Sequence, residues 1–463
     1  MKELSLGAFE VISPNFLGNA WSHPDSHTEA FGTLEYWQDM ARMLDAGGFD
    51  YLFFADASGY PMDGDDVPEV VLREAVQFPV LDQMSIATGL AAVAPRLGLV
   101  LTASTTVERP YIHARRFSSL DHFTSGRIGW NIVTSDMQDS LVKLLGEPGV
   151  TPHDQRYDRA SEFVELCLNL WELGWDDDAL HFDKATRTAI DPDRVHRLRW
   201  KGEYFAFDGY FPVHPSAQRT PTLFQAGSSP RGLRFAGDFA ECVFVQKRDA
   251  ASAREMVTRV RDAVAASGRD RDAVKVINSV SVVVGDTEEQ AWERRASLDA
   301  APSTAALAAH YLGYSSINLM SLDPDATLDG MRSENGQSSA EKYQNGPQSP
   351  TVREILANLP QTTGGLRVTG TAEQVADQLI ETAETADLDG YLIECTFGGT
   401  ASYADMVERV MPLLRSRGAI PATPREGTLR ERLTGTPDPR LPAGYRDARH
   451  LSRAEQPHFT STR

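Results

Sequence analysis

The feature that most constrains this chain is a repeated unit: a short apolar run, then a stretch with helical spacing. Residues 4–11 read as a strand, and residues 34–45 as a helix with Leu34, Trp37, Ala41 and Leu44 on one face, stopped by Gly47 and Gly48. Residues 51–56 form the next strand, followed by a helix within 80–93. The strand at 97–106 leads into a helix that starts at Pro110 and ends near Gly126. The strand at 127–135 is followed by a helix over 160–173, where Phe163, Leu166, Cys167, Leu170 and Leu173 share a face. Further strands fall at 222–228, 242–246 and 274–284, each with a helical pattern after it, and the last pair is 390–396 and 403–414. Strictly alternating strands and helices argue for a parallel sheet, and eight such units argue for a closed (β/α)8 TIM barrel. A doubly wound open sheet is the alternative.

Length now has a meaning. At about 150 residues per domain, 463 residues suggest roughly three domains, but barrels of this kind often exceed 250 residues as one unit. The expected organisation is a single barrel over 1–418, with insertions at about 176–220 and 301–365 and an extension over 419–463. The first insertion contains a hairpin-like segment, GEYFAFDGYF. The second is polar with little to bury, and reads as a functional lid or a disordered loop. The extension is rich in Pro and Arg and is expected to wrap the surface or a partner subunit, with disorder as the alternative.

A formal charge of −20 makes nucleic-acid and membrane-surface partners unattractive, because phosphate backbones and anionic lipids are repelled. Cys167, Cys242 and Cys395 are far apart and odd in number, which fits neither a disulfide framework nor a CxxC metal site. The stretch MKELSLGAFEV lacks the apolar core of a signal peptide and no run approaches 18 apolar residues, so a cytoplasmic protein is expected.

Active sites of such barrels lie at the C-terminal ends of the strands. Here those ends read Ala55-Asp56, TASTT (102–106), NIVTS (131–135) and AGSSPRG (226–232), so small and hydroxylated residues follow each apolar run. Gly227-Ser228-Ser229-Pro230 opens a helix with Ser at the cap and Pro near the first turn. Its free backbone N–H groups, two hydroxyls and Gly232 form a cradle suited to a phosphate, and an ordinary capped helix is the plainer reading. Tyr157 is placed to add a phenolic hydroxyl. Trp21, His23 and Tyr60 follow the first two strands and are candidates for the substrate pocket. His23 and His27 have the spacing of a zinc pair, but Pro24 disfavours a helix there and no third ligand is evident, so no metal is expected. Asp121-His122 sits before the fourth strand, at the wrong end of the barrel, and reads as packing or capping.

Three long segments carry a resemblance: PYIHARRFSSLDHFTSGRIGWNIVTS (110–135), HDQRYDRASEFVELCLNLWE (153–172) and PTLFQAGSSPRGLRFAGDFAECVF (221–244). With AWSHP (20–24), ADASGY (55–60) and GTLRERL (427–433), they resemble the bacterial luciferase-like flavin monooxygenases nearly end to end. The nearer branch is that of nitrilotriacetate, dibenzothiophene-sulfone and pristinamycin monooxygenase components. The resemblance implies a luciferase-type barrel that takes reduced FMN from a separate NAD(P)H:flavin reductase, uses O2 as co-substrate and oxygenates a small organic molecule. It also implies a homodimer or homotetramer. By matching motifs, Asp56, Thr102, Ser104, Asn131, Thr134, Ser135, Tyr157, Gly227, Ser228 and Ser229 would line FMN, with Ser228, Ser229 and Tyr157 on its phosphate. Asp56 and His310, the latter in LAAHYLGYSS, would be the catalytic candidates. The absence of GxGxxG agrees with a flavin delivered from elsewhere.

Departures fall on the substrate side: Ser22 replaces a common Arg, Leu144-Leu145-Gly146 replaces Asn-Phe-Gly, and Trp200 replaces a His. Together with the acidic total, the loss of that Arg favours a neutral aromatic or nitrogen heterocycle. Riboflavin, with C–N cleavage, is one conceivable member. The rival functions are a deazaflavin-dependent hydride-transfer enzyme of the same superfamily, a phosphate-binding barrel lyase or isomerase, and a non-enzymatic flavin-binding protein.

Overall fold

Eight parallel strands close into a barrel, as the alternation requires. The computed structural model describes residues 2–15, 21–135, 137–331, 342–344, 346–442 and 445. Strands β1 (Ser5–Glu10), β2 (Tyr51–Phe54), β3 (Gly98–Ser104) and β4 (Ile128–Val133) pair in sequence order. Two antiparallel hairpins interrupt the series: β5 (Leu180–Asp183) with β6 (Thr188–Ile190), and β7 (Arg197–Lys201) with β8 (Ala206–Tyr210). The wall resumes with β9 (Thr222–Gln225), β10 (Cys242–Val245), β11 (Lys275–Val284), β12 (Leu366–Gly370) and β13 (Gly390–Glu394). Gly390 closes the cylinder, in register with Ile277 of β11 on one side and Ser5 of β1 on the other.

One strand is additional to the expected set. The ten-residue β11 pairs with β13 through Ile277–Val280, and its distal half, Val280 to Val284, pairs with β12. The LRVTG segment of β12 lies just past the second insertion and has only three apolar or β-branched side chains in a row of five, too weak a pattern to stand out.

Inward and outward residues alternate. In β1 and β2, Phe9, Tyr51 and Phe53 point into the barrel, while Leu6, Ala8, Leu52 and Phe54 join the layer against the helices. Gly7 makes room for this packing, since a Cβ there would lie 2.2 Å from the Tyr51 ring. The expected hairpin of the first insertion begins earlier than GEYFAFDGYF, with Trp200 opposite Phe207. Its turn wraps the Glu162 carboxylate, which accepts backbone N–H bonds from Glu203, Tyr204 and Phe205 at 2.8–2.9 Å.

One short helix of the C-terminal extension packs against the barrel. The helix Leu429–Thr434 closes the floor of the barrel, with Leu429 and Leu433 in one cluster with Val100, Phe224 and Leu392. Arg430 is buried beside it, pairs with Glu241 at 2.6 Å and donates to the carbonyls of Gln218 and Thr220. Sequence patterning missed this because the apolar content is only two leucines, made effective by what they cover. The second insertion also buries more than its polarity suggests. Leu307, Tyr311, Ile317, Leu319, Leu328, Tyr343, Ile355 and Leu359 form a separate cluster beside the barrel mouth.

Candidate active site

A cavity of about 730 Å³ opens at the C-terminal ends of the strands, within the usual range for small-molecule sites. Its floor is aromatic. Phe9 lies 5.6 Å from Phe53 and 5.8 Å from Phe244 by ring centroids, and all three line the cavity. Its roof comes from the second insertion, through Leu307, His310, Tyr311, Tyr314 and Leu359.

The polar wall is built by a chain of hydrogen bonds. Thr102 Oγ1 donates to the Phe54 carbonyl at 2.7 Å and accepts from Asn131 Nδ2 at 2.9 Å. Asn131 Oδ1 is then left buried without a protein donor among the described residues. Gln83 holds the Thr102 backbone from both sides, donating to its carbonyl at 2.6 Å and accepting its N–H at 3.1 Å, and reaches Asp56 Oδ2 at 3.4 Å. The Gln77 and Gln225 amide oxygens are also unpaired among the described residues, and both residues line the cavity. Unsatisfied buried acceptors are expensive, so three on residues that line one cavity argue for a ligand rich in donors.

The far corner matches the expected cradle. Ser229 caps the helix Pro230–Phe239, accepting the Gly232 N–H at 3.0 Å. The Tyr157 hydroxyl is in hydrogen-bonding reach of the Ser229 and Thr134 side chains, and burial pushes its pKa up, which keeps it a neutral donor. A Cβ on Gly227 would lie 2.3 Å from Gln225 Nε2 and 2.8 Å from the Tyr157 hydroxyl, and one on Gly232 would lie 2.9 Å from the same hydroxyl. These two glycines are demanded by close approach rather than by backbone conformation.

Most of the residues singled out from the sequence converge here. Asp56, Thr102, Asn131, Thr134, Ser135, Tyr157, Gly227, Ser228 and His310 line the main cavity. Ser229 stands behind Ser228 as the cap. His310 is buried, with its ring edge-on to Tyr314 at 4.9 Å, and desolvation lowers its pKa to about 4. It is therefore a neutral imidazole at physiological pH. Ser104 and Tyr60 instead line an adjoining lobe of about 460 Å³, which shares Asp56, Thr102 and Ser135 with the main cavity. There Ser104 and Ser135 flank Thr106, with oxygen separations of 2.7 and 2.9 Å.

Trp21 and His23 line neither lobe, which corrects their expected place in the substrate pocket. Trp21 is largely exposed. His23 packs outward, its Nε2 3.1 Å from Ser297 Oγ and its ring edge-on to Phe397. Proximity in sequence to the end of β1 did not translate into direction. Conversely, the floor phenylalanines, Gln83, Gln225, Lys247, Arg248 and Lys342 went unnoticed. Only Gln225 and Lys247, flanking strand ends, carried a positional signal.

The description "Luciferase-like monooxygenase" matches residues 15–388. The chain belongs to this family. As a luciferase-like monooxygenase it is 34% identical over 458 residues to dimethyl-sulfide monooxygenase of Hyphomicrobium sulfonivorans, covering 96% of this chain and 94% of that one. It is 36% identical over 454 residues to long-chain alkane monooxygenase of Geobacillus thermodenitrificans, covering 97% and 98%. A crystal structure of riboflavin lyase with modified FMN and substrate riboflavin superposes with a TM-score of 0.92 at 37% identity, covering 97% and 99%. Relatives of the branch singled out from the motifs match as well, at 30–33% identity, so the family is shown and that branch is not set apart. This luciferase-like monooxygenase is an oxidoreductase. Its residues fit FMN as a cofactor, with orphaned acceptors for ring donors and a glycine-lined hydroxyl corner for the phosphate. Among the described residues no helix is long and apolar enough to cross a membrane.

Proposed function

We propose that this enzyme takes reduced FMN from a separate NAD(P)H:flavin reductase and uses O2 to oxygenate, or oxidatively cleave, a small aromatic or nitrogen-heterocyclic substrate. The observation that carries the reading is the pairing of the Asn131–Thr102 wall with the Tyr157–Gly227 corner across one cavity. Bound reduced FMN supplies the electrons that activate O2, and the protein supplies orientation and exclusion of water. Asn131 and Gln225 would hold the flavin ring through their amide oxygens, while Ser228, Ser229, Tyr157 and the helix N-terminus would hold the phosphate. Asp56, held by Gln83, and the neutral His310 both line the cavity and are the candidate acid–base and hydrogen-bonding groups. The phenylalanine floor suits a flat apolar body. The likeness to riboflavin lyase supports a heteroaromatic substrate and C–N cleavage as one outcome.

The working form is proposed to be a homodimer or homotetramer in the cytoplasm. The test is turnover with FMN, NADH, a flavin reductase and O2, using riboflavin, indole and quinoline as trial substrates, with products read by mass spectrometry. A product gaining one oxygen atom, or a C–N cleavage product, supports the reading. Flavin oxidation without any substrate-dependent product contradicts it.

A further inference from the structure

The charge balance of the chain is reversed at the cavity, where Lys247, Arg248 and Lys342 outnumber Asp56 and Asp249, although the chain has 65 acidic against 45 basic residues. Elsewhere, several buried arginines are matched by carboxylates, such as Arg261 with Asp389 and Arg430 with Glu241. None of these three makes an ion pair among the described residues. Lys247 is also fixed in place. Its backbone N–H donates to Asn278 Oδ1 at 2.9 Å, and its carbonyl accepts from Asn278 Nδ2 at 2.9 Å, a side-chain clamp that continues the β10–β11 ladder past its end. Lys342 is held from the second insertion, its Nζ donating to the Thr362 carbonyl at 2.6 Å and lying 5.2 Å from the Tyr343 ring centre.

We propose that Lys247, Arg248 and Lys342 form a binding site for an anionic group, a carboxylate or sulfonate, carried by the substrate. The assignment rests on the reading of the cavity as the oxygenation site and supplies the polar end of a substrate whose aromatic body lies on Phe9, Phe53 and Phe244. Like charges gathered in one cavity repel, and burial, with Arg248 and Lys247 nearby, lowers the Lys342 pKa to about 8. Such a cluster is relieved by an anion. The cofactor phosphate already has another home. The charged groups acting on Tyr157 are Arg156 and Arg231, and Arg231 stacks over the Tyr157 ring while pairing with Asp158. The expectation of a neutral substrate, drawn from total charge and from Ser22, therefore gives way. Local charge, not the sum, decides what enters a cleft.

The test uses the FMN-loaded enzyme and two probes of equal shape, 2-naphthoate and 2-naphthamide, titrated at low salt. The wild type is expected to bind the naphthoate at least tenfold more tightly, with the preference shrinking as salt rises. Lys247→Met and Lys342→Met are expected to cut the preference below threefold, and Lys247→Arg to retain it, while the ratio of FMN to riboflavin affinity stays unchanged in all three. Equal binding of the probes, or binding of neither, overturns the proposal. So does a collapse of the FMN-to-riboflavin ratio in the Met variants, which would assign the cations to the cofactor phosphate. Failure of the wild type to bind FMN would instead contradict the flavin reading, and the same probe titration on the flavin-free protein would still report the anion preference.

Discussion

Asn131 donates its amide to Thr102 Oγ1 at 2.9 Å, and that single bond decides which end of the asparagine is left for a ligand. Because Thr102 spends its own proton on the Phe54 carbonyl, it can only accept from Asn131, and the Asn131 oxygen is turned out as a free acceptor. Asn131→Leu keeps the volume and removes the acceptor. FMN affinity is expected to fall by ~1–3 kcal/mol, the usual cost of leaving a buried donor unsatisfied, with little loss of thermal stability. Flavin fluorescence titration checks this, and unchanged affinity would remove Asn131 from the site.

The glycine corner discriminates between flavins. Gly227→Ala would drive a methyl group into Gln225 and the Tyr157 hydroxyl, and Tyr157→Phe would delete a phosphate donor. Both variants are expected to weaken FMN by roughly tenfold or more, about the value of one charge-assisted hydrogen bond, and to leave riboflavin nearly untouched. Equal losses for FMN and riboflavin would show that this corner does not hold the phosphate.

Glu10 gives a pH-dependent stability. It is buried with Tyr403 donating to it at 2.9 Å, and desolvation raises its pKa to about 8 despite that bond. The folded state keeps the proton that the unfolded chain loses near its ordinary value of 4.5, so the stabilisation is full below that pH and is lost as pH rises towards 8. Glu10→Gln removes the titration. Its stability relative to wild type is expected to climb between pH 4.5 and 8, by on the order of a few kcal/mol, in urea unfolding curves. A difference independent of pH would contradict this.

His310 slopes the other way. Its folded pKa of about 4 lies below the unfolded value of 6.5, so the protein loses stability as pH falls from 6.5 to 4, by about 3 kcal/mol in all. His310→Gln is expected to flatten the acid limb, and turnover should show no break from His310 between pH 6 and 8. A kinetic transition near 6.5 that disappears in the variant would contradict a neutral His310.

Arg430→Met leaves Glu241 buried without its guanidinium. A loss of about 3–5 kcal/mol is expected from urea unfolding, since removing one partner strands a buried charge. A cost below 1 kcal/mol would mean that the floor helix is not needed to close the barrel.

The barrel was legible because eight strands each present a short apolar stretch ahead of a helical stripe. The hydroxyl-rich strand ends were legible for the same reason: once Leu101 and Ile132 are on strands, Thr102 and Asn131 must sit at or near their C-terminal ends. What stayed hidden depends on contacts distant in sequence. Leu429 matters because it meets Phe224 inside the barrel, and Lys342 because the second insertion places it on the cavity with Lys247 and Arg248. His23 misled because a residue close to a strand end has no fixed direction after an intervening loop.

The Asn131 wall and the Tyr157 corner are proposed to hold reduced FMN for reaction with O2. Anaerobic titration of the protein with reduced FMN, followed by mixing of the complex with oxygenated buffer in a stopped-flow spectrometer, tests this. Saturable binding of reduced FMN in a one-to-one ratio is expected, with a flavin absorbance change on oxygen addition that differs from that of free reduced FMN and is altered in Asn131→Leu. No saturable binding, or reoxidation indistinguishable from free FMN, would contradict it.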